Sequence, residues 1–358
     1  MRELFESTIE RLLADQVTPE LLRACESGTW PATLWAAIED SGFAVAAAPE
    51  ALGGADASWD DIVVLVLAAG RHSLPLPLPE TLLANALLGR CGLEALNEPL
   101  SVSAATVTLA SDGRVSGTLT DVPWGRHVGK VVAFTAGAAP QLVLLDAKTA
   151  RITPRLNVAG EPRDDLQFDA TLPLATAPLA EGVHADSLLL GGAMLRSAQM
   201  AGALQTVLTL STRYATERVQ FGKPISAFQA IQHQLAVMAE QTACAVVAAE
   251  GAFAESDLTP DRAWASLPIA SAKVCASEAA GVAAAMGHTV HGAIGFTHEH
   301  ALQLSTRRLW SWRSEFGNQT YWAQRLGQAV CAGGAAAFWP TVTRGSLDLT
   351  TLNSTASA

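Results

Sequence analysis

Arg218-Val219-Gln220-Phe221-Gly222-Lys223-Pro224-Ile225 is the stretch whose reading decides the fold, with Phe228-Gln229-Ala230-Ile231-Gln232-His233 close behind it. Before it, alanine, leucine and methionine dominate from Asp186 to Arg218, a composition suited to one long helix. Gly222 and Pro224 break that helix, because proline has no backbone N–H and restricts the residue before it. Ser226-Ala227-Phe228-Gln229 then has the S-x-x-Q form of a capping box. The spacing predicts a second helix starting there, with Phe228, Ile231, Leu235 and Met238 on one face.

Working toward the C-terminus, Thr259-Pro260-Asp261 predicts the cap of a third helix, which Pro268 interrupts or bends and which runs to about Gly287. The glycine turn His291-Gly292-Ala293-Ile294-Gly295 precedes a fourth helix, from about Glu299 to Phe316. Residues 341–358 are polar without a periodic face and are expected to form a flexible tail. Toward the N-terminus, Thr18-Pro19-Glu20 reads as a helix start, and Asp60-Asp61 opens the apolar run Ile62 to Ala69. Leu74 to Pro79, alternating leucine and proline, is expected to be an extended connector.

From about Ser101 the period changes. Val102, Thr106, Val107 and Leu109 precede Asp112-Gly113, and alternation resumes from Arg114 to Leu119, the pattern of a β-hairpin. Lys130 to Thr135 and Gln141 to Leu145 repeat it. The expected fold class is α+β, mainly α. It has a helical N-terminal domain (1–100), a small central β-domain (101–182) and a C-terminal four-helix bundle (183–340).

Composition narrows the function. The chain has 358 residues, 49% of them apolar, enough for sizeable cores. With 34 acidic against 23 basic side chains and a net charge of -11, it lacks the basic patch that a nucleic acid requires. Its five cysteines stand singly without metal or disulfide spacing. The N-terminal residues contain no apolar signal core, and no stretch approaches the roughly 20 uncharged apolar residues of a membrane span. A cytoplasmic protein without membrane or nucleic-acid partners is expected.

The Arg218–His233 motif, followed by His291-Gly292-Ala293-Ile294-Gly295-Phe296-Thr297 and Arg307-Arg308, resembles the acyl-coenzyme A dehydrogenase family. The resemblance is clear from Asp186 to Gly327. It implies FAD as cofactor, an acyl-CoA substrate, an electron-transfer flavoprotein as acceptor and a role in fatty acid metabolism. It also implies a homotetramer or a heterotetramer with a related subunit, in which Arg218, Gln220, Phe221 and Gln229 touch FAD bound mainly by a neighbouring chain. The residues suit that role: a guanidinium and backbone donors near a helix start attract a pyrophosphate. Gly292 and Gly295 would let backbone approach the ligand closely.

In the family a carboxylate removes the α-proton of the thioester while the β-hydride passes to the flavin. The usual base stands in a Tyr-Glu-Gly-Thr segment, where this chain has Ser314-Glu315-Phe316-Gly317-Asn318. A gapless count places Phe316 in the glutamate position and Glu315 one residue early. Members with the base on the first helix of the bundle give no alternative, because Gly191-Gly192-Ala193 holds no carboxylate. Glu315 is the candidate base, with Trp310, Trp312, Phe316 and Trp322 expected to desolvate it and Arg313 to oppose them. A plain surface glutamate at a helix end is the other reading.

Two more departures bear on activity. No Thr-Glu-Pro-Gly-Ser-Asp type loop occurs between Ser101 and Phe168, and Asn318-Gln319-Thr320 does not reproduce the usual Thr-x-Gln. Two functions follow: a self-sufficient dehydrogenase, or a catalytically silent subunit that completes a partner's site. His291, His298 and His300 near Glu299 lack a second ligand group and are not expected to hold a metal. Arg307 and Arg308 suit either a phosphate or a solvated helix face. Asn157 to Asp165 reads as a β-domain loop, and the nine tryptophans as packing residues.

Overall fold

The computed structural model describes residues 1–256, 264 and 266–344. Two compact units divide the chain, one of Met1–Leu65, Pro75–Leu195 and Ser256–Trp264, the other of Val66–Leu74, Arg196–Glu255 and Ala265–Ala358.

The first unit opens with helices α1 (Arg2–Gln16), α2 (Pro19–Glu26) and α3 (Ala32–Asp40), continues through most of α4 (Trp59–Arg71), and adds α5 (Leu78–Arg90). The Thr18 hydroxyl accepts from Leu21 N at 3.2 Å and caps α2, with Pro19 at its first position. The Leu74–Pro79 connector is shorter than expected: Leu78 and Pro79 already belong to α5. Proline is tolerated there because the first N–H groups of a helix have no intrahelical partner. α5 is buried from Leu78 to Gly89. Its one buried amide is satisfied, Asn85 Nδ2 donating to Ala44 O at 2.8 Å and Asn85 Oδ1 accepting from Leu96 N at 2.9 Å.

Seven strands follow: β1 (Leu100–Leu109), β2 (Val115–Pro123), β3 (Lys130–Thr135), β4 (Gln141–Asp146), β5 (Arg151–Thr153), β6 (Arg163–Thr171) and β7 (Ala175–Pro178). Their order is β5-β6-β2-β1-β3-β4-β7, antiparallel except for the β1–β3 pair. The β1–β2 hairpin closes around Asp112-Gly113 as the sequence suggests, with Leu109 opposite Val115 and Gly113 at φ 80°. Val107, Leu119, Val131, Val143, Leu166 and Phe168 form the heart of one apolar cluster.

The second unit is the helical bundle. α6 (Ser187–Glu217) runs into it from the first unit, followed by the short strands β8 (Val219–Gln220) and β9 (Lys223–Pro224). Then come α7 (Gln229–Glu255), α8 (Ser266–His291), α9 (Leu302–Trp312), α10 (Gln319–Gly333) and α11 (Ala335–Arg344). At the crossing of α4 and α6 the backbones touch. A Cβ on Gly70 would lie 2.0 Å from Gln199 O, and one on Gly202 would lie 2.0 Å from Leu67 O, so only glycine fits at either point. Arg71 fixes the same crossing, its Nη2 donating to Gln205 Oε1 at 2.8 Å.

Several expected boundaries move. The capping box at Ser226 does not form: Ile225–Ala227 is a 3₁₀ turn and α7 begins at Gln229, because Pro224 has already turned the chain and Phe228 N bonds Ile225 O at 3.1 Å. Pro268 leaves α8 unbroken, since it stands in the first turn. The expected cap at Thr259-Pro260-Asp261 lies outside the described residues. The fourth helix spans only Leu302–Trp312, started by His300 Nδ1 accepting from Leu302 N at 3.1 Å. The expected tail is helical at its beginning, within α11, and 345–358 lie outside the described residues. Against the expectation of no membrane-length apolar stretch, α7 and α8 would each suffice by length and apolarity to cross a membrane. Buried inside the protein are 56% of the apolar window around α8, as in a core helix, and 28% of that in α7.

Candidate functional site

Arg218 ends α6, its N–H donating to Tyr214 O at 2.9 Å, and Ile225 N returns to Arg218 O at 2.8 Å. Between them β8 and β9 pair Gln220 with Lys223, leaving Phe221 and Gly222 as a two-residue turn. Both have positive φ, 52° and 78°, as a type I′ turn requires. Phe221 is 92% exposed, its ring edge-on to Phe228 at 6.1 Å, while Lys223 Nζ lies 4.5 Å from the Phe228 ring centre. Arg218, Gln220, Phe221 and Gln229 are thus gathered on one exposed arm. A non-glycine residue at positive φ and an apolar ring in water are both costs, the marks of a surface made for a contact.

The glycine turn lies in the same unit. His291 is buried, its Nδ1 donating to Gly287 O at 2.7 Å, and its ring stacks on Tyr214 at 4.6 Å and meets His300 at 4.7 Å. His288 stacks on Phe296 at 4.2 Å and meets Thr306 Oγ1 at 3.0 Å. Burial pulls the pKa of all three imidazoles below the usual histidine value. The close approach at Gly295 is to the chain itself: a Cβ there would stand 2.9 Å from His291 Cβ and 3.1 Å from Leu302 Cδ2. Gly292 is exposed, at φ 64° with open space around its Cα. Beside this turn a cavity of about 370 Å³ is lined by Ala284, Ala285, His288, Thr289, Phe296 and Trp310.

Glu315 lies beyond the end of α9 and is neither a free base nor a solvated surface glutamate. Its Oε2 accepts from Arg196 Nε at 2.6 Å, the Arg196 side chain being 1% exposed and that of Glu315 15%. Arg196 Nη1 also donates to Gln199 Oε1, and the guanidinium lies over the Phe316 ring at 5.4 Å. The cation bonded to Glu315 is Arg196, whereas the Arg313 guanidinium lies over Trp310 at 4.8 Å. Phe316, in the glutamate position, has φ 51°. Its carbonyl accepts from Trp322 Nε1 at 2.9 Å, and Asn318 Oδ1 caps α10 by accepting from Tyr321 N at 2.8 Å.

Sequence reasoning passed over Arg196 and Lys273, although each is a lone cation inside an alanine-rich helical run, where a buried charge demands partners. Arg308 is buried, its Nη1 donating to Leu304 O at 2.9 Å, and Arg307 Nε donates to Gln303 Oε1 at 2.7 Å. In the sheet, Ala110 N bonds Arg114 O at 2.8 Å and closes a tight β1–β2 turn. The expected Asn157–Asp165 loop is shorter, because Arg163–Asp165 already belong to β6, and it is internally bound, with Arg163 Nη2 on Glu161 Oε2 at 2.9 Å and both side chains buried.

Comparison with known proteins agrees with these motifs. Residues 2–99 match the acyl-CoA dehydrogenase N-terminal domain and residues 184–328 the acyl-CoA dehydrogenase C-terminal domain. The acyl-CoA dehydrogenase IpdE2 of Mycobacterium tuberculosis is 33% identical over 315 residues, 86% of this chain and 90% of that protein. A chain of the ChsE4-ChsE5 complex from Mycobacterium tuberculosis shares the fold with a TM-score of 0.85 at 22% identity, over 93% of this chain and 98% of that one. The steroid ACAD Tcur3481-Tcur3483 contributes a chain with a TM-score of 0.83 at 25% identity, over 92% of this chain and 98% of its own. Two matched domains that cover most of the sequence, with a full-length relative and the same helical and β architecture, make this chain a member of the acyl-CoA dehydrogenase family.

Proposed function

We propose that the chain is one subunit of a flavin-dependent acyl-CoA dehydrogenase assembly, and that it completes a neighbouring chain's FAD site rather than supplying the base. The observation that carries this reading is the Arg196–Glu315 pair: the nearest carboxylate to the family's catalytic position is held by a buried guanidinium, and Phe316 stands in that position. The exposure of the arm supports it.

The donor set fits a flavin dinucleotide. Arg218 offers a guanidinium, the Phe221-Gly222 turn offers outward backbone N–H groups, and Phe221 offers an apolar plane. FAD, when bound, supplies the hydride-accepting chemistry of α,β-dehydrogenation of an acyl-CoA thioester. This chain's part is to bind the pyrophosphate through Arg218, orient the cofactor through Gln220 and Gln229, and exclude water with Phe221. The heteromeric relatives ChsE4-ChsE5 and Tcur3481-Tcur3483 support a second, related chain as the neighbour. An electron-transfer flavoprotein as acceptor and a cytoplasmic site of action go with this reading.

A second reading is kept by one observation: Glu315 retains 15% exposure at the turn, so a substrate that displaced Arg196 would find a carboxylate there. The visible spectrum of the chain purified alone separates the two. The partner reading expects no flavin band after dialysis and no reaction with acyl-CoA thioesters. A yellow chain that bleaches with butyryl-CoA or a longer thioester would overturn it and leave Glu315 as the base.

A further inference from the structure

The turn that carries Glu315 and Phe316 is held from a third helix. Lys273, on α8, is fully buried. Its Nζ donates to Gly317 O at 2.7 Å and Arg313 O at 2.9 Å, and reaches Trp312 O at 3.4 Å. These carbonyls lie at the C-terminal end of α9 or just past it, where the last turn has no intrahelical donors and the helix dipole favours a cation. Ser277, one turn along α8, reaches Arg313 O at 3.4 Å, and Trp322 Nε1 takes Phe316 O from the other side. Gly317, at φ 86°, lets the chain pass: a Cβ there would stand 2.6 Å from Trp322 Nε1.

We propose that Lys273 is a positioning residue, whose ammonium clasps the Trp312–Gly317 turn from α8 and so sets where Glu315 meets Arg196 and where Phe316 projects. A lysine chain spans the gap between α8 and the turn and ends in three N–H donors facing three carbonyls, a match no neutral apolar side chain reproduces. The clasp is also a charge arrangement. Among the described residues the charges acting on the ammonium are Glu315 on the turn, Arg196 from α6 and Arg313 from the end of α9. Burial lowers the Lys273 pKa to about 7, so the ammonium exchanges its proton near neutrality. The neutral amine has two N–H groups for the three carbonyls, and the long Trp312 contact is the one given up.

The test uses the full-length chain carrying 5-fluorotryptophan, with the Trp322 resonance identified by its loss in Trp322→Phe. In the parent that resonance shifts with pH with a midpoint near 7. In Lys273→Met, which keeps the length and removes the donors, it does not titrate in that range, and amide exchange across the Trp312–Asn318 peptide quickens by at least about tenfold. A packing role alone leaves the parent's Trp322 signal flat with pH. That flat profile, or exchange in Lys273→Met equal to the parent's, overturns the assignment. If Lys273→Met fails to fold, the parent is followed over pH 5–10: a Trp322 shift with its midpoint below the ordinary lysine range supports the buried clasp, and a profile flat across that whole span refutes it.

Discussion

Glu315 and Arg196, 119 residues apart in sequence, meet at 2.6 Å with the arginine enclosed by the bundle. Arg196 also has Gln199 on one amino group and the Phe316 ring beneath it, so the buried guanidinium has several partners at once. A carboxylate in this position holds an element of structure together. Its use as a base would have to break a short charge-assisted bond first.

Glu315→Gln therefore acts on stability more than on chemistry. The amide keeps one acceptor for Arg196 Nε but removes the charge, at a cost of about 1–3 kcal/mol. Denaturant unfolding should show that loss, while flavin reduction by an acyl-CoA thioester in the assembled complex changes less than about twofold. A slowing of roughly 10²–10⁴-fold with stability unchanged would make Glu315 the general base.

Gly317→Ala and Gly292→Ala form a matched pair. Both glycines have positive φ, 86° and 64°, but only at Gly317 does an added Cβ collide, 2.6 Å from Trp322 Nε1 and 2.7 Å from Tyr321 Cδ1. The Gly292 change meets no atom and should cost about 1 kcal/mol from backbone strain. The Gly317 change should cost at least twice that, and should free the Trp322 indole from Phe316 O. Equal costs by thermal unfolding would contradict the close approach.

What was legible from sequence and what was not divide along physical lines. The Asp112-Gly113 hairpin, the Thr18 cap and the break after Arg218 were readable because turn chemistry is local: each depends on a few adjacent residues. Ser226 does not cap because Pro224 turns the chain two residues before the capping box could act. Arg196, Lys273 and the turn at Phe316 were not readable, because their partners lie on different helices and no spacing rule connects them. Trp310 and Arg313 stand close to Glu315 in sequence, yet in the structure they pair with each other.

The histidine cluster predicts a loss of stability in mild acid. His288, His291 and His300 have folded-state pKa values below the ordinary 6.5 because of burial. Below about 6.5 the unfolded chain takes up protons that the folded chain resists, so stability is full above that pH and falls as pH drops through the folded values. Tm should decline between pH 6.5 and 5.5, above the range where most carboxylates titrate. The decline should be shallower in His300→Gln, and a parent Tm flat across that interval would contradict the burial of the imidazoles.

Arg218→Ala should leave the fold intact, since the side chain lies on an exposed arm. Losing a charge-assisted contact to a pyrophosphate costs about 1.5–3 kcal/mol, or roughly 10- to 150-fold in FAD retention by the assembled complex. Unchanged helix content by circular dichroism, with faster flavin loss in dialysis, is the expected pair of results. Equal retention removes Arg218 from the cofactor's contacts.

Assembly itself is the last prediction, and it rests on two surfaces of one unit. α7 is 27 residues long, yet little of its apolar window is covered by this chain, which leaves alanine, valine and cysteine side chains such as Ala243, Cys244 and Val247 in water. At its N-terminal end the arm carries Phe221, 92% exposed on a strained turn. Apolar area of this kind is stabilised by burial at about 25 cal/mol per Å², so a partner surface of similar character will cover it. Mass measurement in solution should give a species larger than one chain at micromolar concentration, alone or with the neighbouring subunit. Phe221→Asp, which gives up within the chain the edge-on contact with Phe228, should shift that population toward smaller species and lower flavin retention with it. A parent that stays monomeric and binds one FAD by itself would refute the shared site. A variant that assembles and holds flavin like its parent would remove the arm from the interface.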